Sequence, residues 1–235
     1  MGGRLARRRA RRAGACALVV ALAGCGSSGS SANGIAAMSP AEILATARSA
    51  AVGAATVHVA GSILSQGKPI SLNMELVADK GGVGRITLGE LSIRLVELDG
   101  WLYVNGNRSF YERFTAPLSA RRLQGTWLKG SAAGQALRSF SSLTDLSKLL
   151  GGTLASHGSL TRVAGVSVDG RRTVGVSDLA RGGTVYVATS GIPYPLEIVW
   201  HGRRRGRVVF DKWNRAAEPT APTHAINIKR LQSKG

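Results

Sequence analysis

The sequence predicts an α+β fold in which helices cover the apolar face of one antiparallel sheet. Residues 57–105 and 161–213 contain short segments of alternating apolar and polar residues, a pattern typical of strands because their side chains point to opposite faces with a period of two. A helical pattern precedes the first stretch, and another, at 131–150, separates the two. An apolar helical stripe must pack against a partner, and the apolar face of the sheet is the obvious one.

The first helix is predicted to begin directly after Ser39. Ser39 is a favourable N-cap, Pro40 suits the first helical position, and Glu42 is placed to complete a capping box. The apolar residues that follow share one helical face: Ile43, Leu44, Ala47, Ala51 and Val52. We expect this helix to end near Gly53.

The first half of the sheet is predicted to be a meander of neighbouring strands. Residues 57–63 and 70–76 alternate on either side of a turn at 65–68 and form a long hairpin. Strands at 85–88, 91–98 and 101–105 follow, with Asp99-Gly100 and Asn105-Gly106 as hairpin signals.

The middle of the chain changes from strands to helices. Residues 118–129 are predicted to be a loop with a short element at Trp127. The apolar residues of 131–150 recur at helical spacing, which predicts one or two helices, broken near Ser141-Ser142 and ended by Gly151-Gly152.

Short strands resume after residue 159. They are predicted at 161–163, 172–176, 184–188, 196–200 and 207–213, each bounded by Gly, Pro or Asp. The segment 201–206 is predicted to be the tip of the last hairpin, and 225–228 a short edge strand. No repeat or internal boundary divides residues 39–235, so we expect a single domain.

The N-terminus has the order of a lipoprotein signal peptide. Six Arg residues precede an apolar run at 13–23, which is too short to span a bilayer. Leu22-Ala23-Gly24-Cys25 resembles the lipobox of bacterial lipoproteins, in which the Cys receives a diacylglycerol and becomes the new N-terminus. We therefore expect a signal peptide at 1–24, lipidation at Cys25, a flexible tether at 25–38, and a location on the extracytoplasmic face of the cell membrane.

The predicted mature chain is basic and lacks a usable thiol. Removing residues 1–24 removes six of the 31 Lys and Arg residues and none of the 13 acidic residues, which leaves a net charge of +12. Cys16 is removed with the signal peptide and Cys25 is blocked by lipid. The domain must then be held together by its own core, for which about 200 residues suffice.

In this order of elements the chain resembles the LppX/LprA/LprF/LprG lipoproteins of actinobacteria, whose fold is similar to those of LolA and RseB. The resemblance covers nearly the whole mature domain but rests on a pattern, and only the lipobox is specific by itself. It implies an unclosed antiparallel half-barrel whose concave apolar face is covered by helices. It also implies a cavity that carries acyl chains of glycolipids or lipoglycans outward, without catalytic residues. The segments that carry it are Leu22-Ala23-Gly24-Cys25, Ser39-Pro40, 57–63, 99–103, the Trp127 segment, 194–196 and 208–213.

With this resemblance, apolar residues of the first sheet half and of the helical insert are candidates to line such a cavity. The alternative is that they pack against one another and leave no void. The candidates are Val59, Ile63, Leu72, Met74, Leu76, Ile93, Leu95, Leu137, Phe140, Leu143 and Leu146. At the last hairpin tip, Arg203, Arg204 and Arg205 are candidates for contact with anionic headgroups, the alternative being a solvated turn.

The sequence argues against other classes of function. Export and the lack of aromatic residues among the Arg clusters disfavour nucleic-acid binding. His58, His157, His201 and His224 lack the spacing of a metal site. Ser65-Gln66-Gly67-Lys68 matches the Ser-x-x-Lys of penicillin-binding enzymes, but it lies in a predicted turn and no Lys-Thr-Gly follows. We expect neither catalysis nor a bound metal or cofactor.

Two functions follow as hypotheses. The first is a monomeric lipoprotein that binds lipid or lipoglycan acyl chains of palmitate length and helps to move them outward, with a membrane exporter as a candidate partner. The second is an envelope sensor or protein-interaction module that uses the same fold to contact a protein.

Overall fold

The computed structural model describes residues 31–232, except for residues 66, 114–116, 136, 156–157, 181 and 216. The predicted signal peptide (1–24), the predicted lipidation site Cys25 and residues 26–30 of the tether lie outside the described residues. No helix in the described part of the chain is long and apolar enough to cross a bilayer.

The described strands form one sheet that remains open. Their order across it is β13-β6-β5-β4-β3-β2-β1-β12-β11-β10-β9-β7, and β8 pairs only with β9. The strands are β1 Thr56–Ser65, β2 Lys68–Val77, β3 Gly81–Leu88, β4 Leu91–Leu98, β5 Trp101–Gly106, β6 Trp127–Ser131, β7 Leu160–Val163, β8 Ser167–Val168, β9 Arg171–Asp178, β10 Gly183–Ala188, β11 Pro195–Trp200, β12 Gly206–Asp211 and β13 Ala225–Asn227.

The topology confirms the predicted α+β fold with an unclosed half-barrel. Strands β1–β5 form the predicted meander, and β1 also pairs with β12, which joins the two halves of the chain into one sheet. All strand pairs are antiparallel except β13 and β6, which run parallel. Strands β13 and β7 lie at the two ends of the order and do not pair with each other, so the barrel does not close.

The helices are short and come from three parts of the chain. Helix α1 precedes the sheet, α2–α5 lie between the two strand groups, and α6 ends the described chain. They are α1 Pro40–Val52, α2 Arg108–Tyr111, α3 Pro117–Leu123, α4 Arg138–Thr144, α5 Leu146–Thr153 and α6 Lys229–Gln232, with 3-10 turns at Ile35–Ala37 and Gly202–Arg204.

Helix α1 begins as predicted, with a complete capping box. The Ser39 hydroxyl accepts a hydrogen bond from the Glu42 backbone N–H, and the Glu42 carboxylate accepts one from the Ser39 N–H at 2.9 Å. The Ser39 hydroxyl also donates to this carboxylate at 2.7 Å. The side-chain hydrogen bond from Ser39, followed by the backbone one, lowers the pKa of Glu42. The buried face consists of Ile43, Leu44, Ala47 and Ala51, all four of them predicted.

The prediction of a loop at 118–129 is wrong for the first half of this segment, whereas the short element predicted at Trp127 is confirmed as β6. This segment contains most of α3 and the start of β6, which pairs antiparallel with β5. Helix α3 has only seven residues, too few for a helical period to stand out, and it is held in place by Ala120, which is fully buried. Strand β6 forms because Leu128 pairs with Val104 and fills the inner face of the sheet.

The helical insert is two helices, but the break and the end differ from the prediction. The break lies at Asp145, whose extended backbone ends α4 and whose carboxylate caps the Lys148 N–H to start α5. Burial alone would raise the pKa of Asp145, but its hydrogen bonds and charge contact with Lys148 lower it overall. Helix α5 then continues through Gly151-Gly152 to Thr153, because Arg48 of α1 donates to the Gly151 carbonyl at 3.1 Å.

The last long strand ends two residues earlier than predicted, at Asp211. Lys212 and Asn214 both have positive φ values, of 50° and 55°, which bend the chain away from the sheet. The turn places Trp213 against Tyr194, with ring centroids 4.3 Å apart and parallel planes. The predicted edge strand at 225–228 is confirmed as β13.

The buried apolar side chains form two main clusters on the inner face of the sheet. The α1 cluster joins α1 and α5 to strands β1, β2 and β9–β12. The α2 cluster joins α2, α3 and Leu137 to strands β4–β6. Ile86 of β3 packs against both, so β3 marks their boundary.

The capping box provides a test of the start of α1. Ser39→Ala is expected to lower the free energy of unfolding by about 1 kcal/mol at neutral pH, measured by urea denaturation. Folding lowers the pKa of Glu42 from 4.5, so the carboxylate contributes stability above that value and loses it as the pH falls through the lowered pKa. The difference in free energy of unfolding between Ser39→Ala and the parent protein should therefore become smaller at acidic pH.

The matched control is Ser49→Ala, because Ser49 is exposed on the same helix and has no capping role. Ala is the better helix former, so this variant should be as stable as the parent or slightly more stable. Equal losses in the two variants would contradict the assigned role of Ser39.

Candidate functional site

A cavity of about 360 Å³ lies between strands β9–β11 and the helices above them. This volume falls at the lower end of the range of small-molecule pockets, about 300–1,000 Å³. Apart from Asp178 and Thr153, the residues that line it are apolar or glycine. They are Leu44, Ile63, Gly152, Thr153, Ala155, Val176, Asp178, Gly183, Val185, Ile198 and Trp200.

The floor of the cavity is fixed by strand register. Val185 of β10 lies directly opposite Val176 of β9 on one side and Ile198 of β11 on the other. Residues paired in this way project from the same face of a sheet, so three branched side chains stand in one row. This row is stiff, because β-branched side chains have restricted rotamers.

One end of the floor is a glycine covered by a tryptophan. Gly183 is paired with Trp200, and a Cβ at position 183 would lie 2.8 Å from the Trp200 indole Nε1. The absence of a side chain at Gly183 therefore lets the indole lie across β10 and form a wall of the cavity. Any larger residue at 183 would displace Trp200.

The roof is built from α1 and from the C-terminal end of α5. Leu44 of α1 faces the cavity, and Gly152, Thr153 and Ala155 border it where α5 ends. The contact between Arg48 and Gly151 joins these two helices near that point. A Cβ at Gly152 would meet no atom within 4 Å, so this part of the roof leaves space above the strands.

The cavity reaches one end of the sheet, which we call the open end. Asp178 is the last residue of β9, Gly183 the first of β10 and Trp200 the last of β11. Asp178 is 7% exposed, and one of its carboxylate oxygens accepts a hydrogen bond from the Ala180 N–H at 3.0 Å. The open end thus has one buried carboxylate beside an apolar interior.

The predicted arginine tip lies at this open end. Arg203 and Arg205 are exposed, whereas the side chain of Arg204 is outside the described part. The tip is attached to the β9–β10 turn, where the His201 N–H donates to the Gly182 carbonyl, and to the end of β1, where the Leu64 N–H donates to the Arg205 carbonyl. The sequence alone did not place this tip beside a cavity.

The predicted cavity-lining residues fall into different parts of the inner face. Ile63 is the one member of that set that borders the 360 Å³ cavity. Five others belong to or pack on the α1 cluster: Val59, Leu72, Met74, Leu76 and Leu146. Four more belong to or pack on the α2 cluster, namely Ile93, Leu95, Leu137 and Phe140, and Leu143 is half-buried on α4. A lining role for these ten residues stays a prediction.

The inner face of β3 leaves little space beneath the C-terminal end of α4. Gly82 has no side chain, and a Cβ there would lie 2.8 Å from Leu76 Cδ2 and 3.3 Å from the Thr144 carbonyl oxygen of α4. Helix α4 therefore lies directly on β3. The Thr144 hydroxyl fixes it there by donating to the Glu97 carboxylate at 2.5 Å.

The predicted lining set does not include the cavity-lining residues of the second half of the sheet. Val176, Val185 and Ile198 lie in β9–β11, where nearly every residue is buried on one face or the other. Their alternation is visible in the sequence, since Val176 lies between Gly175 and Ser177 and Val185 between Thr184 and Tyr186. What the sequence does not show is that α1 and the end of α5 leave space above these strands.

A second depression of about 540 Å³ lies at the opposite end of the sheet. It is bordered by the Tyr194–Trp213 stack but also by five charged residues: Asp169, Arg171, Asp211, Lys212 and Arg215. Charged walls are costly to bury against hydrocarbon, so this depression suits an apolar ligand less well than the smaller cavity does. Among the described residues, no group of three His, Cys, Asp or Glu side chains is arranged to hold a metal ion.

Comparison with solved structures gives the fold type. LprF from Mycobacterium bovis superposes with a TM-score of 0.54 at 14% sequence identity, over 78% of this chain and 96% of LprF. The Mycobacterium tuberculosis lipoprotein LppX superposes with a TM-score of 0.47 at 18% sequence identity, over 77% of this chain and all of LppX. The chain has the fold type of LprF, which agrees with the half-barrel that the sequence predicted. No family model matches the sequence, and no curated protein matches it either.

Trp200 provides an optical test of the cavity. A brominated alkane that enters the cavity should quench the fluorescence of Trp200, because bromine quenches tryptophan on contact and this indole forms a wall of the cavity. Trp200→Phe should remove most of the quenching measured in a titration with the probe.

The control is Trp101→Phe, since Trp101 is exposed and lies near Lys129, away from the cavity lining. This variant should keep the quenching of the parent. Loss of quenching in Trp101→Phe with retention in Trp200→Phe would show that the probe binds elsewhere.

Proposed function

We propose that this protein is a non-catalytic, membrane-anchored lipoprotein that binds acyl chains of a glycolipid or lipoglycan and helps to move them to the outer envelope. The observation that carries the proposal is the apolar cavity of about 360 Å³ between β9–β11, α1 and α5. The fold type is consistent with it, since the chain has the LppX/LprF-type fold.

The need for such a cavity follows from the cost of moving lipid through water. Each exposed CH₂ group costs about 0.8 kcal/mol, so two 16-carbon chains would cost on the order of 25 kcal/mol unsheltered. The row Val176, Val185 and Ile198 offers the apolar contacts that replace the bilayer interior.

A cavity of this size would shelter only part of a lipid. It would become larger if α5 moved away from the sheet. Leu146 and Leu150 of α5 pack in the α1 cluster together with Val59 and Met74. A shift of α5 away from the sheet would add these residues to the cavity wall, which gives the predicted lining set a role in the loaded state. Bound acyl chains would replace the contacts that the shift removes.

The proposed anchor follows from the sequence at the N-terminus. Cys25, within Leu22-Ala23-Gly24-Cys25, would carry a diacylglycerol and hold the domain on the extracytoplasmic face of the membrane. The described chain begins close to the sheet, where Ala32 forms a bridge with Ser190. In this arrangement a membrane exporter would be the natural donor of lipid.

Lipid carriage is tested by mass spectrometry of organic extracts from the purified full chain. We expect co-purified diacyl or triacyl lipid in stoichiometric amount. Val185→Phe should reduce it severalfold, because the larger side chain fills the centre of the cavity floor. Overpacking of this kind costs about 1–3 kcal/mol, so thermal unfolding must confirm that the variant is folded.

Val185→Ala is the matched control at the same position. It enlarges the cavity and should retain the lipid, although the lost burial also destabilises the protein by roughly 0.5–3 kcal/mol. Equal lipid content in the Phe and Ala variants would place the lipid elsewhere. If the parent protein is folded but contains no lipid, lipid carriage would be contradicted. The sensor or protein-interaction module would then be the remaining hypothesis.

A further inference from the structure

We propose that the open end of the sheet docks onto an anionic lipid bilayer, with Leu179 inserted among the headgroups and Arg203 and Arg205 on the lipid phosphates. This inference rests on the proposed function, since it says how lipid passes between a bilayer and the cavity. The docking surface lies outside the cavity, so docking to a bilayer can be measured separately from the lipid content of the protein.

The register of five strands makes the open end one continuous rim. Ile63 of β1 is opposite Gly206, Gly206 is opposite Trp200, Trp200 is opposite Gly183, and Gly183 is opposite Asp178. Ile63, Trp200, Gly183 and Asp178 also line the cavity. A flat partner pressed against this rim would therefore cover the entrance to the cavity.

Leu179 projects from this rim into solvent. It is 66% exposed and occupies the β9–β10 turn, immediately after the buried Asp178. Its position is fixed, because its backbone N–H donates to the Ser159 carbonyl at 3.2 Å. Farther along the same end, Leu88, the last residue of β3, is 38% exposed. Exposed leucines that flank a cavity entrance suit contact with an apolar phase.

The charges at the rim complement an anionic surface. Lys68, Arg203 and Arg205 are exposed there, whereas Asp178 is buried and Glu90 is the exposed acid of the β3–β4 turn. At the opposite end the acids Asp79, Asp99, Asp169 and Asp211 lie among bases and largely cancel their charge, the bases being Lys80, Arg171, Arg172, Lys212 and Arg215. Basic residues near an anionic bilayer are attracted to it, so the open end is the end that such a surface favours.

The position of the N-terminal segment is compatible with this docking. Ala32 bridges to Ser190, beyond the far end of β10 from Gly183. The six residues of β10 span about 20 Å, and the seven residue-to-residue steps from Cys25 to Ala32 reach at most roughly 25 Å. A chain anchored at Cys25 can therefore turn its open end toward the same membrane with its tether extended.

Docking is tested with an environment-sensitive fluorophore on a single cysteine. The full chain carrying Cys16→Ser and Cys25→Ser receives Leu179→Cys, labelled with a nitrobenzoxadiazole probe, and is mixed with phosphatidylcholine vesicles with or without phosphatidylglycerol. The emission should shift to the blue with phosphatidylglycerol vesicles. Added salt should weaken the response, because the attraction is screened.

The matched control places the same probe at Ile192→Cys, a hydrophobic position that is 52% exposed at the opposite end of the sheet. We expect no shift there. Arg203→Ser with Arg205→Ser should raise the lipid concentration for half-maximal response at position 179 by about 25-fold, roughly fivefold for each arginine. Arg172→Ser with Arg215→Ser, two exposed arginines of the far end, should change it little.

The outcomes separate docking from carriage, because lipid content is measured on the same proteins by mass spectrometry. No shift at position 179, or equal shifts at 179 and 192, would overturn docking even when lipid is present in the purified protein. A shift confined to 179 in a protein that contains no lipid would support docking and contradict carriage.

Discussion

The structure depends on one constraint: an open sheet must keep the apolar side chains of its inner face out of water. A closed barrel would bury that face by itself, but here β7 and β13 remain apart at the two ends of the strand order. Helices must therefore cover the concave side, and the described helices are short. How completely they cover it decides where space remains.

The two halves of the sheet meet this constraint differently. In the first half, Gly82 lets α4 lie directly on β3, and the α2 cluster fills the remaining inner face. In the second half, the cover is α1 with the C-terminal end of α5, above a row of branched side chains that includes Val185. The contact between Arg48 and Gly151 holds these two helices together without filling the space beneath them. The space between sheet and helices is therefore distributed unevenly: α4 lies directly on β3, whereas space remains beneath α1 and the end of α5.

Local chemistry made much of this fold predictable. The capping box at Ser39 and Glu42, the alternation of 57–76 and the Asp99-Gly100 turn each specify their element through neighbouring residues, and the structure has all three. Helix α3 and the continuation of α5 through Gly151 depend on tertiary contacts instead, at Ala120 and Arg48. Sequence patterns contain no record of such contacts.

The site was predictable in kind but not in position. The resemblance led to an apolar cavity, and the apolar stripes of the first half were the visible candidates for its wall. The 360 Å³ cavity is lined mainly by β9–β11, and which strands have space above them depends on how α1 and α5 pack, which the sequence does not show. The arginine tip was recognised as a feature, whereas its place beside the cavity follows only from the pairing of β11 with β12 and of β1 with β12.

The most direct measurement of the central claim is a nuclear Overhauser experiment on protein with labelled methyl groups at Val185 and Ile198. The account predicts cross-peaks from these methyl groups to the methylene protons of a co-purified, unlabelled acyl chain. Cross-peaks from both residues to protein side chains or water alone, in a sample that contains lipid, would contradict it.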